Sequence, residues 1–338
     1  MTAAATAHRL EQQLHARGLD LCRWFSVRRY NGLVADTRYH LPVGGASGAS
    51  AMAGGPYALL VGNTRRLWPL FRAWCSQQSQ PLPPHPLNAY VDGAVEEALR
   101  AAGVGDALPA DAVRVHDVRY AHETSADRLL PIQTAAHAAG LAYYLRAAGL
   151  SVHTTFGPWI ALRAVVLWDT TSASAASLAE WEEVWRGLDD ERKGVAALPE
   201  CPFTDAQQTE LVDRANMLVE TCGRFRPSYA GVEEAAPANT VSQMLSAWYA
   251  ASNSTVPDEA LHWIGRVCAL NQEPVMAATA TAATPTNISV LASCPAPPWL
   301  GWLLLRQRAA EMLDIDDEHA RYSAEQTAYH YGRRRDLL

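Results

Sequence analysis

Between Trp159 and Trp168 the chain reads Trp-Ile-Ala-Leu-Arg-Ala-Val-Val-Leu-Trp, an apolar run broken by a single charge, Arg163. Trp159, Ala161 and Arg163 alternate with Ile160, Leu162 and Ala164, which predicts a strand set into a core. A guanidinium in such a strand needs an anion to offset its desolvation. That anion is either a neighbouring Asp or Glu or the carboxylate of a ligand, and the pattern leaves both open. The residues before it, Ser151 to Pro158, predict a partner strand turning at Gly157-Pro158.

Other segments supply the rest of a sheet. Tyr57 to Gly62 reads as a buried strand, with Asn63 or Thr64 capping a helix behind it. Ala112 to Val118 reads as another strand. Residues 8 to 18 form an amphipathic helix ending at Gly18. Beyond it, Cys22, Trp24 and Ser26 alternate with Phe25, Val27 and Arg29 as a strand would, turning at Asn31-Gly32. The Gly-rich run 44–55 has neither G-x-x-x-x-G-K-[ST] nor a well-formed G-x-G-x-x-G, and it precedes its strand, so it is no phosphate cradle. The fold class is α+β.

After Asp169 the texture changes. Helical stretches at 175–188, 205–222 and 241–251 alternate with Pro-, Ala- and Thr-rich tracts whose composition favours loop over packed structure. Order resumes at Trp299. The chain therefore divides into a core, 1–169 with 300–338, and an insertion, 170–299, with low-complexity segments that a linker could replace.

Pro131 to Gly149 reads as one helix with an unusual face. Gln133, His137, Gly140 and Tyr144 share a stripe that is neither apolar nor charged, and the first charge is Arg146. Something covers this stripe, either a core polar network or a ligand.

Composition limits the partners. The formal charge of -7 opposes general nucleic-acid binding, and no apolar run is long enough to span a bilayer. The amino terminus lacks a signal-peptide core, which points to the cytoplasm. Six cysteines without a C-x-x-C pair suit reduced thiols. Eleven histidines include no H-E-x-x-H, so no metal site is expected, and no G-x-S-x-G supports a hydrolase triad. Lys193 is the one lysine among 28 basic residues, so a single arginine is weak evidence of selection here.

Four stretches in order, "FSVRRYNGLVADTRYHLPVGG", "LLPIQTAAHAAGLAYYL", "FGPWIALRAVVL" and "RYSAEQTAYHYG", resemble the MMACHC (CblC) family of cytosolic cobalamin-processing proteins. The resemblance covers about residues 22–168 and 319–332. It implies a sheet core like that of FMN-dependent nitroreductases and flavin reductases, with a cleft for base-off cobalamin. It also implies two reactions: reductive loss of cyanide with electrons from reduced FMN or FAD, and alkyl transfer to glutathione. The implied cobalamin contacts are Asp117, Leu130, Pro131, Ile132, Gln133, Tyr144, Leu145, Arg146, Ser151, Leu162 and Tyr322. Arg163, Arg321 and Arg333, with Arg334 or Arg335 beside them, correspond to a glutathione pocket. His137, Gly140, Gly157 and Trp159 are structural, and no residue is assigned as catalytic. A CblD-type trafficking protein is the implied partner, and a homodimer is left open.

Three positions depart from the family pattern: Arg146 stands for a glutamine, Ser151 for a cysteine and Pro158 for a glycine. The Tyr144 to Phe156 connection is also short. Two further readings follow from these departures and from the fold: a cobalamin chaperone without catalysis, and a flavin reductase or nitroreductase.

Overall fold

The structure is a computed structural model that describes residues 2–42, 57–104, 112–169, 173–190, 198–222, 241–250, 258–270, 296–297, 299–315, 317–332 and 337–338. The chain forms two compact units, Met1–Leu145 with Ser151–Pro202, and Arg146–Leu150 with Phe203–Leu338.

The first unit runs α1 (Ala3–Ala16), β1 (Leu21–Ser26), α2 (Val27–Leu33), β2 (Tyr57–Asn63), α3 (Leu67–Gln77), α4 (Pro86–Ala102), β3 (Arg114–Tyr120), α5 (Ile132–Ala138), β4 (Tyr143–Leu145), β5 (Leu150–Val152), β6 (Ala161–Asp169) and α6 (Ala175–Asp190). Four strands pair antiparallel in the order β1-β2-β6-β3. Every residue of β2 is buried, as its apolar run requires of a strand covered on both faces. Successive side chains point to opposite faces, so Ala58 and Leu60 join Phe25, Val165, Leu167 and the alanines of α5 in one apolar cluster. On the opposite face Trp24 and Trp168 lie 5.6 Å apart, and Trp181 of α6 meets Trp168 in a tilted contact at 4.8 Å. Trp185 continues this layer to Tyr57 at 5.0 Å.

The second unit contains α7 (Asp205–Cys222), α8 (Val241–Ala250), α9 (Asp258–Leu270), α10 (Leu300–Met312), α11 (Asp317–Ala320) and α12 (Ala324–Gly332). Helix α7 packs on α10, and α9 packs on α12. Arg214 is 6% exposed. It is held by Glu210 at 2.9 Å, by the Trp248 carbonyl at 2.9 Å and by the Trp248 ring. Burial alone would raise the Glu210 carboxyl, but Arg308 and Arg214 together bring it below its usual range.

Several sequence expectations change. The helix expected over Pro131 to Gly149 stops at Ala138. Gly140 takes φ +68°, its amide donates to the His137 carbonyl, and the Leu141 amide donates to the Ala136 carbonyl. These paired bonds are the left-handed helix stop that glycine favours. Tyr144 therefore lies on β4, not on a helical stripe. The Asn31-Gly32 turn is instead inside α2, because the Ser26 hydroxyl caps the Arg29 amide and buried Tyr30 anchors the helix through its hydroxyl to the Tyr39 carbonyl. Strand β5 pairs with β4 rather than β6, and the expected turn survives as a bridge between His153 and Gly157. Helix α3 begins at Leu67, and in the turn that leads into it Thr64 accepts the Arg66 amide through its hydroxyl at 3.3 Å and the Leu67 amide through its carbonyl at 3.5 Å. The Gly-rich run 44–55 lies outside the described residues, as does most of the tract 271–298.

Candidate functional site

The apolar cluster of the first unit is not sealed all round. Leu33, Tyr39, Leu130, Ile132, Leu141, Phe156 and Leu162 pack against it while remaining partly exposed. Three of these, Leu130, Ile132 and Leu162, are cobalamin contacts implied by the resemblance. They come from a loop, the start of α5 and β6, and each packs against that one cluster.

A bulge sets this arrangement. Gly62 pairs with Leu162 and Val61 pairs with Ala164, so Arg163 is the extra residue of β6. The extra residue shifts the phase of the strand, and Leu162 ends on the same face as Val165 and Leu167. The plain alternation read from the sequence holds only up to Leu162. Gly62 is required there, since a Cβ would stand 2.7 Å from the Ala161 carbonyl oxygen. The sequence signal for the bulge was this glycine inside an otherwise fully apolar strand.

Arg163, aimed by the bulge, donates from Nε to Oδ1 of Asn63 at 2.6 Å. Asn63 is wholly buried, and its Nδ2 donates to the Thr64 carbonyl at 2.7 Å. The partner seen at this bond is thus a neutral amide, not the carboxylate that burial of a guanidinium suggested.

Asp117 and Arg119 stand opposite Leu167 and Val165, which places them on the cluster face at its polar border. The Asp117 carboxylate accepts from Arg128 at 3.1 and 3.2 Å and from Arg119 at 3.3 Å. Arg128 also donates to Glu123 and, at 2.7 Å, to the Val118 carbonyl. Hydrogen bonding to Glu123 pushes the Arg128 guanidinium above its usual value despite some burial. Sequence reasoning missed Arg119, Glu123 and Arg128. The signal available was a dense run of alternating charges, Asp117 to Arg128, between a strand and a helix.

The remaining residues fall as follows. Pro131 and Gln133 are partly buried at the start of α5, and Tyr144 and Ser151 are partly buried on β4 and β5, whereas Leu145 is buried. His137 Nδ1 accepts the Tyr144 amide at 3.4 Å, and its ring meets Tyr143 edge-on, which ties the end of α5 to β4. Trp159 and Gly157 are buried. His153 Nδ1 accepts the amides of Thr155 and Phe156 at 3.0 and 3.3 Å. Burial, then the charge of Arg23, pushes His153 down to about 4, so its ring is neutral with the proton on Nε2.

Arg146, Arg321 and Tyr322 belong to the second unit. Arg146 is exposed. Tyr322 is 3% exposed, its carbonyl accepts from Trp263 Nε1 at 3.1 Å, and Arg321 lies over the Trp263 ring at 4.7 Å. Arg333, Arg334 and Arg335 lie outside the described residues. No group of three or more His, Cys, Asp or Glu is arranged to hold a metal ion among the described residues, and none of the described helices is long and apolar enough to cross a membrane.

No family model matches the chain. No curated protein matches it. Among solved structures it is similar to the crystal structure of a C. elegans B12-trafficking protein CblC, a human MMACHC homologue. The identity is 15% and the TM-score 0.44, over 72% of this chain and 90% of that one.

Proposed function

We propose that this chain is a cytoplasmic cobalamin-processing protein of the MMACHC (CblC) type. It binds cobalamin base-off and removes the upper axial ligand, cyanide with electrons from reduced FMN or FAD and alkyl groups by transfer to glutathione, before passing cobalamin to a CblD-type partner. In this reading the sheet core is of the nitroreductase and flavin-reductase kind. Residues 1–169 and 300–338 supply the processing core, and 170–299 interrupts it.

The observation that carries the proposal is convergence. Leu130 and Ile132 come from one of the four ordered sequence blocks and Leu162 from another, and all three pack, partly exposed, against one apolar cluster. A corrin offers a broad, largely apolar face edged with amides. Partly exposed apolar side chains suit that face, and Gln133 and Asp117 suit its amide edge. Cobalt supplies the bond-breaking chemistry, and the chain supplies position and electrostatics.

One observation favours the second reading, a chaperone without catalysis. The Arg163 bond to Asn63 gives that guanidinium a role inside the sheet, independent of glutathione.

Adding methylcobalamin to the purified protein tests the proposal. Displacement of the lower benzimidazole shifts the visible band to shorter wavelength, and later loss of the methyl group with glutathione separates enzyme from chaperone. An unchanged spectrum at saturating protein, with no heat of binding, defeats both readings.

A further inference from the structure

Among the described residues, the outer edge of the sheet on the β3 side is closed by side chains and not by a fifth strand. In β3, Ala121 follows with its amide donating inward to the Arg163 carbonyl at 2.8 Å, so Val118 and Tyr120 direct their backbone groups outward. The Val118 carbonyl is met by Arg128 Nη2, and the Tyr120 amide by Glu123 Oε2 at 2.8 Å. Arg128 and Glu123 also bond to each other, while a second amino group of Arg128 spans both oxygens of Asp117. One guanidinium thus joins the strand, its border carboxylate and the loop that leaves the strand.

This loop ends two residues later at Leu130, which packs partly exposed against the apolar cluster. The Arg128 amide donates to the Ser125 carbonyl at 2.9 Å, and the Ile132 amide donates to the Leu130 carbonyl at 2.7 Å, so the path from Arg128 into α5 is fixed by successive local bonds. Arginine suits this place because its planar fork can address three acceptors at once, which a lysine ammonium on a flexible stem does not.

We infer that Arg128 is a positioning residue. Through Asp117, Val118 and Glu123 it holds segment 121–133 in the shape that carries Leu130 and Ile132 onto the apolar cluster, with Gln133 beside them. The ligand part of this inference rests on the cobalamin reading, and the ordering of the segment does not.

The test uses the full chain with Arg128→Met, Arg128→Lys and Glu123→Gln. Amide hydrogen exchange is followed without ligand, and methylcobalamin is then titrated by absorbance. Arg128→Met is expected to speed exchange across 121–133 by about ten-fold or more while β2 and β6 amides keep their protection. It should weaken methylcobalamin by about ten- to hundred-fold, with the same base-off spectrum at saturation. Arg128→Lys and Glu123→Gln should fall between it and the wild type. If Arg128→Met does not fold, these two milder variants carry the same comparison. Unchanged exchange in 121–133 overturns the inference, as does unchanged affinity in a wild-type background that binds. A wild-type protein that leaves the methylcobalamin spectrum unshifted defeats the cobalamin reading instead, and the exchange result alone then upholds or overturns the ordering role.

Discussion

Arg163 Nε and Asn63 Oδ1 stand 2.6 Å apart, one at the bulge of β6 and the other at the end of β2. A hydrogen bond to a charged group contributes about 1.5–3 kcal/mol, and its loss leaves a buried partner unsatisfied. Asn63→Ala and Arg163→Gln should each lower the melting temperature. Their double mutant should be less destabilised than the sum, by about 1.5 kcal/mol or more. Additive effects would show that the pair does not hold the bulge. If Arg163 also orients glutathione, Arg163→Gln reduces dealkylation well beyond decyanation, and Asn63→Ala does not reproduce that difference.

Two glycines should respond differently to alanine. At Gly62 a methyl meets the Ala161 carbonyl oxygen at 2.7 Å, so the backbone of β6 has to move, at a cost of about 1–3 kcal/mol. At Gly140 nothing lies within 4 Å of an added Cβ, and only the positive φ resists. Gly140→Ala should therefore cost about 1 kcal/mol, and Gly140→Asn less. Denaturant melts of the three variants check the order. Equal costs at both positions would contradict the close approach at Gly62.

His153 gives the fold an acid limit. Its ordinary value of 6.5 falls to about 4 in the folded chain, so the unfolded chain binds more protons between those values. Stability from this group is complete above pH 6.5, declines as pH falls toward 4, and changes little below that. A shift of this size is worth at most about 3 kcal/mol. His153→Asn keeps an acceptor for the Thr155 and Phe156 amides but does not titrate in this range. It should flatten the decline between pH 6.5 and 4, as read from urea melts at several pH values. An unaltered pH profile would remove His153 as its source.

The low-complexity composition of 171–299 suggested that the whole stretch could be replaced by a linker, but its helices have partners. Trp181 and Trp185 of α6 stack within the tryptophan layer of the first unit, and α7 and α9 pack on α10 and α12 in the second. Replacing all of 171–299 with a Gly/Ser linker should give insoluble or molten protein. Trp181→Ala alone should cost about 3–5 kcal/mol. Recovery of a soluble deletion protein with sharp thermal unfolding would reverse this expectation.

The sequence was most legible where one face decided everything. The apolar run from Tyr57 fixed β2 almost to the residue, and Gly18 marked the end of α1. Leu130, Ile132 and Leu162, from two separate blocks of the sequence, each pack against the same apolar cluster while staying partly exposed. Legibility failed where a choice depended on distant partners. Nothing within 150–169 says that β5 turns toward β4 while β6 enters the sheet between β2 and β3. The bulge needs Gly62, about a hundred residues away, to be read together with Arg163. Helix α5 looked nearly three times its length because alanines favour helix on either side of Gly140, and only the left-handed stop separates them.

The placement of β6 beside β2 has a consequence during synthesis. Asn63 and Arg163 are 100 residues apart. At about 5–20 residues per second, β2 emerges from a ribosome on the order of ten seconds before the strand that covers its second edge. In that interval β1 can pair with one side, while a largely apolar ribbon waits with its other side open, the kind of segment that joins neighbouring chains most readily. Synthesis rate and chaperone supply, more than the stability of the finished sheet, should therefore set how much of this protein is recovered in native form.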